Sequence, residues 1–107
     1  MNQLSEQEFR LKSDASLERS RLELLPLADQ EGFEVEPEDG VLTIVFDQPR
    51  SDKFVVSPNA PMRQICVAAM TKGYKLAWNW ELNEFAIEGE TLPRLLERLS
   101  RTFLTGA

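Results

Sequence analysis

Glu34 and Glu36 stand two residues apart in the run Phe33-Glu34-Val35-Glu36, and Asp29 and Glu31 lie just before them. Carboxylates so placed can hold a hard cation, set up a negative field for a basic partner, or share acid and base work when one of them is buried. Alternation along an extended strand puts Phe33 and Val35 on one face and both glutamates on the other, with roughly 7 Å between the glutamate Cα atoms. That is too far for a tight shared chelate, and the outward direction argues against the burial that paired-carboxylate catalysis needs. The chemistry left to Asp29, Glu31, Glu34 and Glu36 is an open, weak cation site that keeps most of the metal's water and discriminates poorly among divalent ions. The bland alternative is a solvated acidic face.

The rest of the composition narrows the field. The 107 residues include no histidine, which removes Ser-His-Asp and Cys-His catalysis, imidazole general bases and His-ligated zinc together. Cys66 is the one cysteine, so it has no disulfide partner within the chain and fits a reducing compartment. As a nucleophile it lacks a histidine base, and a small buried or semi-buried apolar role suits it better. No glycine-rich phosphate loop accompanies the carboxylates, so a binding protein ranks above an enzyme. The chain has 12 basic and 18 acidic residues, a net charge of −6, which repels a phosphate backbone and argues against nucleic acid as a partner. Residues 1–40 hold eleven acids against four bases and residues 41–107 seven against eight, so the surplus lies at one end. No apolar run approaches the roughly 20 residues of a membrane span. The opening Met1-Asn2-Gln3-Leu4-Ser5-Glu6 lacks the basic and apolar regions of a signal peptide, which predicts a cytoplasmic chain.

The elements that must position these groups follow from period and punctuation. Ser5-Glu6-Gln7-Glu8 matches a capping box and predicts a helix start. Phe9, Ser13, Leu17, Ser20 and Leu24 follow at helical spacing, their serines small enough for close packing on a sheet, until Pro26 and then Gly32 end the helix. From Phe33 to Ile87 the period is two. Strands are predicted at 33–36, 41–46, 53–57, 62–69 and 74–78, with a shorter sixth at 81–87. Turns fall at 37–40, at the rigid Pro58-Asn59-Ala60-Pro61, and at Met70-Thr71-Lys72-Gly73, where glycine is available for positive φ. Thr91 caps a last helix with Pro93 in its first turn, and Leu92, Leu95, Leu96, Leu99 and Phe103 form one apolar stripe. The expectation is a single α+β domain over 1–107. It is a two-layer sandwich with the N- and C-terminal helices on one face of a five- to six-stranded antiparallel sheet. The other face meets solvent and would carry Glu34, Glu36, Thr43, Cys66 and one or both of Trp78 and Trp80.

This order of elements, with the stretch from Phe54 to Ala69 that contains Pro58-Asn59-Ala60-Pro61 and Gln64-Ile65, and with Lys72-Gly73-Tyr74, resembles the frataxin family and its bacterial members. Gly40-Val41-Leu42-Thr43 and Thr91-Leu92 with Leu95-Leu96 resemble the family's second strand and closing helix. The resemblance implies a small monomeric domain that binds iron weakly at surface carboxylates, here Asp29, Glu31, Glu34 and Glu36. It also implies regulation of iron-sulfur cluster assembly, or supply of iron to it, by docking on the cysteine desulfurase and scaffold complex through Asn59, Gln64, Cys66 and Trp78. Family members usually carry tryptophan directly after the Gln-Ile pair, where this chain has Cys66. Their first helix usually ends in packed carboxylates, where this chain reads Arg19-Ser20-Arg21-Leu22-Glu23-Leu24-Leu25. The thinned helix carboxylates leave a second expectation, an acidic adaptor of the same fold with little or no metal function.

Overall fold

The computed structural model describes residues 3–106. Helix α1 spans Glu6–Glu31, and seven strands follow: β1 Glu34–Glu38, β2 Val41–Phe46, β3 Asp52–Asn59, β4 Gln64–Ala69, β5 Lys72–Asn79, β6 Glu84–Ile87 and β7 Glu90–Thr91. Helix α2, Leu92–Thr105, closes the chain. The strands lie in sequence order, each antiparallel to the next. The α+β sandwich is as expected, with seven strands rather than five or six. The added strand is the two-residue β7, where Thr91 both pairs with Ala86 and stands at the N-cap of α2.

Helix α1 begins as a capping box. The Glu8 N–H donates to Ser5 Oγ at 3.1 Å, and the Ser5 N–H donates to Glu8 Oε1 at 2.8 Å. The bond from the Ser5 N–H, ahead of the nearby Ser5 hydroxyl, holds the Glu8 carboxyl below the ordinary glutamate range. The expected stop at Pro26 does not occur; the helix continues to Glu31 and ends at Gly32, which is left-handed with φ 83. Leu24, Leu27 and Ala28 are buried on either side of the proline, and their packing offsets the roughly 3 kcal/mol that an interior proline costs.

The core lies between the helices and one sheet face. Phe9, Leu17 and Leu24 of α1 meet Leu42, Ile44, Phe46, Phe54, Val56, Ile65, Val67 and Leu76 from alternate strand positions, and the α2 stripe of Leu92, Leu95, Leu96, Leu99 and Phe103 completes it. Two turns differ from expectation. Pro58 and Asn59 belong to β3 rather than to a connection. Beyond Val56 that strand has no β2 partner and pairs with β4 alone, which leaves room for a proline. The β4–β5 hairpin turns on Met70 and Thr71, with φ 50 and 67, and not on glycine. The tighter turn adds the rungs Ala69–Lys72 and Ala68–Gly73 to the ladder, so Gly73 lies inside a strand. The β1–β2 hairpin has the more usual chemistry, Asp39-Gly40 with φ 54 and 78.

Candidate functional site

The four sequence-nominated carboxylates sit where α1 hands over to β1. Asp29 and Glu31 occupy the last turn of the helix, Gly32 reverses the chain, and buried Phe33 anchors it so that Glu34 and Glu36 project outward around half-buried Val35. All four are exposed. The last turn of α1 contains no basic residue, so Asp29 and Glu31 face the negative end of the helix dipole uncompensated. Glu34 lies opposite Val45 and Glu36 opposite Thr43, on a strand with no outer neighbour. Ion pairs among the described residues join Arg19 to Glu84, Arg21 to Glu18, Arg98 to Glu90 and Arg101 to Glu97, and none includes the four edge carboxylates. Nor do any three cysteine or carboxylate groups among the described residues converge to hold a metal ion. The edge is therefore a field of separate charges, suited to attracting a hydrated cation or a basic surface rather than to enclosing an ion.

The residues nominated for docking divide between the two sheet faces. Asn59 pairs with Gln64, Ser57 with Cys66, and Gln64 in turn with Ala77, which sets Asn59, Gln64 and half-buried Cys66 together on the uncovered face. Asn59 Oδ1 accepts from the Met62 N–H at 3.3 Å. Trp78 is a correction. It has the same parity as Tyr74 and Leu76, which pair with core residues Val67 and Ile65, and so it lies on the helix-covered face. Its ring packs edge-on against Phe85 with centroids 5.1 Å apart, and the Lys12 ammonium of α1 sits 4.4 Å from its centroid. Trp80 lies beyond the strand end, exposed.

One buried carboxylate escaped the sequence reading. Glu84, 5% exposed, accepts from Ser16 Oγ at 2.6 Å, Arg19 Nε at 2.7 Å and its own neighbour's N–H, that of Phe85, at 2.9 Å. It cross-links β6 to α1. The available signal was a glutamate opening the otherwise apolar Glu84-Phe85-Ala86-Ile87 while a serine lay on the inner face of the first helix. With every oxygen engaged, Glu84 serves the seating of α1 and is not an exposed ligand.

The sheet thus has one helix-backed face, one bare face and an edge whose four carboxylates have no described basic partner. The chain belongs to the frataxin-like family: the frataxin-like domain matches residues 2–104 of its 107. That family is generally linked to iron-sulfur cluster biogenesis, and its members generally bind iron without catalysis of their own. No curated protein matches the chain at a significant level. Among the described residues no helix is long and apolar enough to cross a membrane.

Proposed function

We propose that this protein is a cytoplasmic, monomeric, non-enzymatic iron-binding regulator of iron-sulfur cluster assembly. It docks on the cysteine desulfurase and scaffold complex and carries ferrous or ferric iron as weakly held cargo. The observation that carries this reading is the set of exposed carboxylates Asp29, Glu31, Glu34 and Glu36, none of them paired with a described basic group. Hard carboxylate oxygens suit iron surrounded by water, and the same negative field steers a basic desulfurase surface toward this edge. The bare sheet face, with Asn59, Gln64 and Cys66 side by side, is assigned to the scaffold.

A second reading has its own support. The missing convergence of carboxylates among the described residues, together with the arginines in the C-terminal half of α1, favours an acidic adaptor that docks through the same edge with little metal function. Anaerobic addition of ferrous iron while backbone NMR signals are followed separates the two. Broadening confined to residues 29–36 supports iron binding at the edge; an unchanged spectrum, with desulfurase still retained in a pulldown by this chain, supports the adaptor.

A further inference from the structure

Two turns at one end of the sheet are built alike. Strand β3 ends on Asn59 and β5 on Asn79, and four turn residues follow each, 60–63 and 80–83. In both, the asparagine Oδ1 accepts from the backbone N–H three residues on, that of Met62 at 3.3 Å and of Leu82 at 2.8 Å. In both, the fourth turn residue, Arg63 or Asn83, has φ 54. The matched backbones place Met62 and Leu82 at equivalent turn positions, and Trp80 opens the second turn. These three are 59%, 45% and 55% exposed, and the other large exposed apolar side chains among the described residues, Leu11 and Leu22, are on α1. A groove of about 280 Å³ runs here, its walls including Leu4, Met62, Arg63, Trp78 and Trp80.

The groove has a charge as well as a shape. Arg63 donates from Nε to the Leu4 carbonyl at 2.9 Å and also to the Ala60 carbonyl, so its guanidinium is fixed by neutral acceptors. Lys12 does not line the groove but lies over the ring of Trp78, which does. Neither cation pairs with a described carboxylate. The nearby acids are Glu6 and Asp14, both exposed on α1, Asp39 in the β1–β2 turn, Glu81, exposed in its own turn, and Glu8, one helical turn before Lys12, held by Ser5 and attracted by Lys12. In a chain of net charge −6, this is a cation-bearing apolar groove on pre-formed turns.

We propose that the groove binds a segment of a partner protein in which an aromatic or aliphatic side chain is flanked by carboxylates. Exposed tryptophan and methionine on turns already fixed by hydrogen bonds supply contact area at little ordering cost, and the two cations select the acidic flanks. The site is separate from the acidic edge. Strands β1, β3 and β5 run in the same direction, so these turns lie at the opposite end of the sheet from Asp29, Glu31 and Glu34.

The test is NMR titration with a synthetic peptide, acetyl-Asp-Glu-Phe-Leu-Asp-Glu-amide, and a copy carrying lysine at each acidic position. The acidic peptide should shift the Trp80 indole and Met62 methyl signals saturably and bind about tenfold or more tightly than the lysine copy. Met62→Ser with Trp80→Ser, both exposed and so compatible with the fold, should weaken it about tenfold or more, and Lys12→Gln severalfold. Glu34→Gln with Glu36→Gln should leave it within about twofold. Absence of a saturable shift, equal affinity for both peptides, or shifts confined to the acidic edge would overturn the proposal. So would a Trp80 shift that depends on protein concentration without peptide, which would assign the groove to a second copy of the chain.

Discussion

The closing helix and the acidic edge use carboxylates in opposite ways. Around α2, Glu90 takes both Nε and Nη2 of Arg98 at 2.9 Å, and Glu97 meets Arg101 one turn on at 3.0 Å. Across the sheet Glu84 takes Arg19. At the edge Asp29, Glu31, Glu34 and Glu36 have no described basic partner, and two of them oppose a helix dipole. Exposed pairs contribute little to stability, so the difference lies less in energy than in what charge remains free. An arginine accompanies Glu84, Glu90 and Glu97 alike. The edge instead gathers four charges without a described basic partner within residues 29–36, where they persist against their own repulsion.

Substitutions can break this contrast, and the largest effect belongs to the helix. Leu95→Ala or Leu96→Ala should cost about 2 to 5 kcal/mol in urea unfolding, because both side chains are fully buried and their truncation leaves a cavity. Glu84→Ala should cost about 2 to 3 kcal/mol, since it strips buried Ser16 of its acceptor while half-exposed Arg19 recovers water. Glu84→Gln should cost less, because the amide oxygen still accepts from Ser16. A loss below about 1 kcal/mol for Glu84→Ala would remove Glu84 from the structural class.

The pair at the start of α2 predicts a smaller and pH-dependent effect. The Arg98 hydrogen bonds, ahead of the general attraction of Arg98 and Arg94, hold the Glu90 carboxyl below its ordinary value. A folded-state value below the unfolded one means that this stabilisation is complete above about pH 4.3 and lost as pH falls through the folded value. Glu90→Gln should therefore cost about 0.5 kcal/mol at pH 7 and almost nothing near pH 2, read from unfolding curves across that range. The smallest effect belongs to the edge. Glu34→Gln with Glu36→Gln should leave stability within about 0.5 kcal/mol or raise it slightly, because it relieves repulsion on an exposed strand. A large loss there would make these acids structural, like Glu84.

Much of this was legible in the chain, and the failures share a cause. The capping box, the alternation in Val41–Phe46 and the α2 stripe are local patterns, and local patterns report which face of an element is buried. Pro26 misled because the packing of Leu24, Leu27 and Ala28 is tertiary and overrides a local stop signal. Trp78, offered with Trp80 for the open face, shares the parity of Tyr74 and Leu76, and what covers it, Phe85 of β6 and Lys12 of α1, is tertiary packing. The acidic edge was readable because charge and strand parity are both sequence properties. The partnership of Glu84 with Ser16 was not, because 68 residues separate the two.

The most direct measurement of the central claim is the rate at which this protein associates with a cysteine desulfurase after two matched charge reversals. One variant carries Glu31→Lys, Glu34→Lys and Glu36→Lys at the edge. The other carries Glu6→Lys, Glu81→Lys and Glu88→Lys, three exposed acids that also have no described ion-pair partner. The total change in charge is the same and only its location differs. The edge variant should associate about tenfold or more slowly and lose most of its salt dependence, with dissociation changed less, while the control variant stays near the parent. Equal slowing by both variants would mean that net charge alone governs the encounter, and the acidic edge would then be no docking surface.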